Sequence, residues 1–385
     1  MEKGHTPLPY KIEDVAAMLN IHRRNGKCPI CGGRTSFGIS VEKQTCHCMK
    51  CNFSGNATSL YAAVNGISTK DAYKELVNAL ASGYVKPEVK TNKWEQIESN
   101  SNLASLDIRD KTYGEMFRLL PLSDEHKADL LKRGFDEVTA NRYRTLSLKE
   151  AVNRSSLARK LSATCTLAGV PGFYKDKTGE WTLVYTKTGI LVPYLSFDRK
   201  IQGIQIRKDN ALLRTFEDGK KENKYTWLSS NLIPKDAIAG SGTKATTFVH
   251  YACDFEKGFN GTYRPVFINH TAFLTEGGMK ADLAHLLTGQ GYLAVPGVSA
   301  LTQLHEELKK IKELGVTRVI NAYDMDYLTN ENVFQAVQKT EEMIREMGFS
   351  YNRLMWDTKE KELGTALKGI DDYYAYCYKG IVPGK

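Results

Sequence analysis

Apolar residues recur along this chain with two periods, and the switch between them outlines its organisation. Residues 11–20 (KIEDVAAMLN) carry apolar side chains at helical spacing, as do SLYAAVNG and STKDAYKELVNAL. Ser68, with Asp71 three residues on, gives the last of these a capping-box-like start. Residues 82–105 are polar and aperiodic and read as a linker. Helical spacing returns from about 112 to 160, in KTYGEMFRLL and SDEHKADLLKRG. Over 181–230 the period shortens. WTLVYT, GILVPYLSF and KIQGIQIRK, broken by Gly and Asp-Arg, predict antiparallel strands. From 271 onward strand-like TAFLTE, YLAVPG, RVINAYD and RLMW are separated by helical ADLAHLLTG, LTQLHEELKKIKELG and NVFQAVQKTEEMIREMG. That βαβαβαβ run predicts a mostly parallel α/β sheet.

Composition narrows the class. At 385 residues with 42% hydrophobic content, the chain suits two or three domains with real cores. No apolar run approaches the roughly 18–20 residues of a membrane span, and MEKGHTPLPYKIEDV lacks a signal peptide's apolar stretch. A cytoplasmic protein without membrane contact is expected. The net charge of +9 is unevenly spread. Lys and Arg outnumber Asp and Glu by 13 to 9 over residues 1–100 and by 26 to 19 over 101–260, but number 14 against 16 over 261–385. A basic body joined to a slightly acidic domain suits a phosphate-rich partner handled beside metal ions; solvated surface lysines are the plainer reading.

Five of the eight cysteines fall within residues 28–51. Cys28-Pro-Ile-Cys31 and Cys48-Met-Lys-Cys51 are two C-x2-C knuckles with 16 residues between them, long enough for a β-hairpin. Two intervening residues let paired thiolates converge on one tetrahedral ion, so a structural Zn2+ with four protein ligands is expected. Cys46 and His47 are spare donors, with Cys46 on the same strand face as Cys48, but knuckle spacing favours Cys48. The module could be a protein-binding ribbon or a folding staple. Arg23, Arg24, Lys27, Arg34 and Lys43, with Phe37 and Phe53, point instead to nucleic acid.

The stretch CPICGGRTSFGISVEKQTCHCMKCNFSGNATSLYAAVNGISTKDAYKELV resembles the zinc-binding domain of bacterial and phage DNA primases, through its Cys-Pro-x-Cys opening, the Ser36-Phe37 pair and the aromatic-flanked closing knuckle. The resemblance covers about 50 residues. It implies contact with a single-stranded template.

Near the C-terminus, Glu276 ends the strand TAFLTE and Asp324-Met325-Asp326 ends RVINAYD. Residues at the carboxyl ends of parallel strands line the functional crevice, and carboxylates there can hold Mg2+ or Mn2+. Singly, each motif is also a common turn or cap. Together they resemble the Toprim domain shared by primases, topoisomerases and some nucleases, which would make Glu276, Asp324 and Asp326 metal-binding catalytic residues. Asp371 in KGIDDYYAY resembles a late acidic motif of primases and would be a further magnesium ligand; otherwise Asp371-Asp372 caps a terminal helix. Two positions depart from the pattern: Lys280 stands where primases usually carry an acid, and Tyr327-Leu328-Thr329 replaces a glycine-bearing stretch. Both look closer to proteins of plasmids, phages and integrative elements.

GILVPYLSFDRKIQGIQIRKDN and the later KYTWLSSN also resemble the primase core. On that likeness Arg207 and Lys224, with Tyr225 and Ser229 beside them, would face nucleotide or template phosphates, and Lys280 joins them as a candidate; a solvated basic hairpin edge is the bland alternative. Gly240-Ser-Gly-Thr-Lys244 lacks phosphate-loop spacing and reads as a turn. Cys165, Cys253 and Cys377 read as ordinary buried thiols, and the scattered histidines as structural or surface residues.

The expectation is therefore an α/β multidomain chain: a primase-type zinc-binding domain over 1–81, a linker over 82–105, a basic mixed α+β domain over 106–260 and a Toprim-like parallel-sheet domain over 261–385. It would act as a metal-dependent primase on single-stranded DNA and nucleotides, with a replicative helicase as a separate partner. A non-catalytic DNA-binding accessory protein and a Toprim nuclease are the rivals.

Overall fold

The computed structural model describes residues 9–19, 21, 26–33, 36–81, 96–147, 154–184, 188–210, 213, 215, 222–297, 300–325 and 330–384. It forms two compact units, Met1–Lys93 and Trp94–Lys385.

In the first unit, strands Phe37–Ser40 and Thr45–Cys48 form an antiparallel hairpin, and Ser54–Gly55 pairs with the second strand. Helices Ile12–Met18, Ala57–Asn65 and Thr69–Ala81 flank them. Asn56 caps the second helix through Ser59 N–H, and Ser68 Oγ accepts from Asp71 N–H at the start of the third. Ile12, Val15, Phe37, Leu60 and Leu76 build the core. Phe37 is 1% exposed, so it belongs to that core and not to a nucleic-acid surface. Arg23, Arg24 and Arg34 lie outside the described residues.

The second unit holds two larger sheets. The basic region forms a four-stranded antiparallel sheet in the order Tyr225–Trp227, Ile201–Lys208, Gly189–Leu195 and Arg144–Leu146. The strand at 144–146 interrupts the stretch whose spacing predicts helix; three residues are too few for a periodic signal. Trp181–Leu183 pairs with Phe173–Lys175 and not with this sheet. Residues at the end of the expected linker are structured as well: Gln96–Glu98 pairs with Leu232–Pro234, and Ser99 is buried.

The C-terminal sheet has the order His250–Ala252, Tyr292–Val295, Thr271–Glu276, Arg318–Asn321, Ser350–Arg353. Its last four strands are parallel and the first is an antiparallel edge. That edge strand precedes residue 261, so the sheet reaches back across the expected domain boundary. The last strand is Ser350–Arg353, displaced from the expected RLMW. Leu354 N–H still bonds to Asn321, but Trp356 leaves the sheet and donates from Nε1 to Leu367 O at 2.7 Å. A second core joins the two sheets: Ile190, Val192 and Tyr194 pack with Met279 and Leu283 of helix Gly278–Thr288.

Among the described residues no helix is long and apolar enough to cross a membrane.

Candidate functional site

The four knuckle cysteines come together as their spacing requires. Cys28, Cys31, Cys48 and Cys51 have sulfurs within 4.8 Å of one another, with Cys28–Cys51 at 3.9 Å and Cys31–Cys48 at 3.7 Å. Sulfurs at about 2.3 Å from a tetrahedral zinc ion stand about 3.8 Å apart, so the set fits Zn2+ and leaves no open position. Each knuckle turns on a positive-φ residue four places after its first cysteine, Gly32 (φ 69°) and Asn52 (φ 55°). Cys46 is not a ligand. Its thiol donates to Gly55 O, and burial pushes its pKa up to about 11. His47 is exposed. Exposed Lys27, Lys43, Lys50 and Met49, the last 79% exposed, surround the knuckles.

In the second unit, adjacency of strands Thr271–Glu276 and Arg318–Asn321 brings the carboxyl end carrying Glu276 beside the loop carrying Asp324. The Gly277-Gly278 pair has a local cause. Gly277 has φ 80°, and a Cβ on Gly278 would lie 3.1 Å from the Tyr194 ring, whose hydroxyl accepts Gly278 N–H. Helix Gly278–Thr288 can therefore start at once, with Lys280 in its first turn. Lys280 Nζ donates to both Asp324 oxygens at 2.6 Å. Burial opposes this ammonium's charge, but Asp324, Asp371 and Glu276 outweigh it and raise the lysine's pKa.

Helix Ile370–Lys379 adds the third acidic spot, and the two readings of Asp371-Asp372 divide between the residues. Asp372 accepts Gly369 N–H as a cap. Asp371 is buried and its Oδ2 accepts from Arg133 at 3.0 Å, while its Oδ1 has no hydrogen-bond partner among the described residues. A Cβ on Gly369 would lie 2.4 Å from Asp371 Oδ1 and 3.4 Å from both Asp324 Oδ1 and Lys280 Cδ, so these groups share one crevice. Burial, then the neighbouring Asp371 charge, lifts Asp372 to about 6.

Among the described residues, no set of donors at Asp324 meets the geometry of a metal site. Among the described residues the cysteines are the only group of three or more possible ligands with atoms within 4.8 Å of one another. Both Asp324 oxygens are already committed to Lys280. Asp326 lies outside the described residues.

Beside the acids lies a cleft of about 240 Å3 lined by Asp129, Lys132, Arg133, Arg207, Lys224 and Asp371, among others. Arg207, on strand Ile201–Lys208, donates to Asp129 at 2.6 Å. The Nε of both Arg133 and Arg207 is buried without a partner among the described residues. Burial, then Arg207 and Arg133, brings Lys224 down to about 8. Tyr225 reaches Met279, 4.0 Å from its hydroxyl. Ser229 does not line this cleft; it binds Asn231 and accepts Ala245 N–H. Sequence reasoning missed Arg133 and Asp129. Arg133 closes helix Asp124–Arg133 after Lys132, where cations suit the helix end, and that masks a second role.

Of the remaining cysteines, Cys253 is buried, Cys165 half-buried and Cys377 exposed, which corrects the expectation for Cys377. His250 is structural. Leu195 N–H donates to its Nδ1, so Nε2 carries the proton and donates to Asp282 at 2.9 Å.

These features define a chain with a four-cysteine module and a carboxylate-bearing parallel sheet, similar to DNA primases. A family model described as Domain of unknown function (DUF3854) matches residues 266–377. The DNA primase of Halalkalibacterium halodurans is 31% identical over 117 residues, 29% of this chain and 18% of that protein. The chain thus spans under a fifth of the curated relative it matches. Among solved structures, the zinc-binding and RNA polymerase domains of the Aquifex aeolicus primase align over 92% of this chain and 81% of their own, at 17% identity and a TM-score of 0.46. The E. coli primase catalytic core aligns over 72% and 77%, at 12% identity and a TM-score of 0.42.

Proposed function

We propose that this chain is a primase-type nucleotidyltransferase that makes short primers on single-stranded DNA, in replication of a phage or other mobile element. One observation carries the reading: the guanidiniums of Arg133 and Arg207 and the ammonium of Lys224 line a single cleft. Such donors suit a triphosphate, and arginine's planar fork adds directional bonds that lysine cannot. A growing 3′-hydroxyl would attack the α-phosphate, forming the new ester and releasing pyrophosphate. Arg133, Arg207 and Lys224 would offset the charge that develops on the phosphates. The four-cysteine module, with Lys27, Lys43 and Lys50 around it, supports template binding as its role.

The test is primer synthesis by the purified chain on varied single-stranded templates, with labelled ribo- or deoxyribonucleotides supplied as their Mg2+ or Mn2+ salts. Short products are expected, and Arg207→Ala should cut the rate about a hundredfold. Absence of products on every template sinks the reading. The hold of Lys280 on Asp324 favours a second reading, a single-stranded-DNA-binding accessory protein. Retained DNA binding without synthesis would select it.

A further inference from the structure

Two of the acids nominated as metal ligands, Asp324 and Asp371, meet cations of the chain itself. Lys280 lays its ammonium 2.6 Å from each oxygen of Asp324, and Arg133 holds Asp371 at 3.0 Å. Neither member of the first pair is a free surface group: the side chains are 25% and 10% exposed. Contact with both oxygens of one carboxylate is the place a divalent ion would take there. Mg2+ sits about 2.0–2.1 Å from its oxygen ligands, so the ion and Nζ would compete for the same lone pairs. Two cations on one buried carboxylate would also repel each other strongly, because little water separates them. The lysine is the better placed competitor, since its covalent tether keeps it at high effective concentration.

We propose that the Lys280 ammonium stands in for a divalent cation on Asp324, so that this carboxylate is neutralised by the chain itself and is not a Mg2+ or Mn2+ ligand. The inference rests on reading the crevice as a nucleotide site, because only there would a resident charge on Asp324 serve bound phosphates. A plain structural ion pair would share the geometry, but removing its lysine would create no metal site.

Mn2+ binding to the full-length, zinc-loaded chain tests this, read as free Mn2+ by paramagnetic resonance and as the shift in melting temperature with added Mn2+. Lys280→Ala should bind Mn2+ about tenfold more tightly than the unsubstituted chain, and Mn2+ should restore melting temperature that the substitution lost. The gain should vanish in Lys280→Ala combined with Asp324→Asn, and Lys280→Arg should behave as the unsubstituted chain. Equal Mn2+ affinity with and without Lys280, or a gain that survives Asp324→Asn, would overturn the proposal. If Lys280→Ala does not fold, Asp324→Asn alone decides: unchanged Mn2+ affinity is expected, and a fall refutes the idea. None of these readouts needs primer synthesis, so failure of the enzymatic reading would show separately.

Discussion

Lys224 lines the cleft with a charge that pH can remove. Burial and the two nearby guanidiniums bring it to about 8. The sign of its linkage follows. An unfolded lysine keeps its proton to about 10.4, so between about 8 and that value the unfolded chain binds more protons and stability rises with pH. Ligand binding runs the other way, since an anion needs the protonated form. Inorganic triphosphate should therefore bind with full affinity below about pH 8 and progressively less above it, as titration calorimetry from about pH 6.5 to 9.5 would record. Lys224→Met should bind more weakly and flatten that profile. An unchanged profile in the variant would remove Lys224 from the site. Neither this conditional charge nor the partnership of Arg207 with Asp129 is visible in the sequence: the first comes mainly from burial, with Arg133 91 positions away, and Asp129 stands 78 positions before Arg207.

Helix Gly278–Thr288 places Lys280 toward the acids and Asp282 toward the neighbouring sheet. Asp282 accepts from His250 Nε2 at 2.9 Å and from Tyr143 at 2.5 Å, tying the helix to the edge strand and to the chain before Arg144–Leu146. Truncating it would strand a buried imidazole N–H and a buried phenol. Asp282→Ala should cost about 3 kcal/mol, read as a shift in the urea midpoint. Burial pushes the Asp282 carboxyl up, yet His250 and Tyr143 hold it below the ordinary aspartate range. Its contribution is thus present above about pH 3.9 and is lost as pH falls through the lower folded value. Elements of this kind were largely readable, because helical and alternating periods are local. The parallel strands Thr271–Glu276 and Tyr292–Val295 are buried on both faces around apolar centres and announce themselves. Ser350–Arg353 does not: it is an edge strand with a single fully buried residue, and the more apolar LMW beside it draws the reading away. The acidic motifs at strand ends were legible for the same local reason. The contacts of Lys280 with Asp324 and of Arg133 with Asp371 on the terminal helix required the tertiary fold.

At the scale of the whole chain the two units should respond to different perturbations. Cys28 and Cys48 of the four-cysteine set belong to a small core of about ten buried residues, a size at which a metal commonly supplies the missing stability. Stripping zinc with a strong chelator should therefore unfold Met1–Lys93, seen as new amide exchange there. Trp94–Lys385, with its larger cores, should keep its protection. Persistence of exchange protection around the knuckles after chelation would show that zinc is dispensable to the fold.

Charge gives a second, quantitative separation. Residues 1–260 carry 39 Lys and Arg against 28 Asp and Glu, so binding to single-stranded DNA should weaken with salt. Each template phosphate neutralised contributes about −0.7 to the slope of log affinity against log salt concentration. If the four-cysteine module grips template and the cleft holds nucleotide, the two sets of cations must contribute differently to that slope. Replacing Lys43 and Lys50 by Gln should make it shallower by about 1.4. Lys224→Met should leave it unchanged while weakening triphosphate binding. The reverse pattern would place template in the cleft and leave the exposed lysines of the zinc module as ordinary solvated surface. Fluorescence anisotropy of a labelled oligonucleotide across a salt series distinguishes the two outcomes, and it does so without assuming that any primer is made.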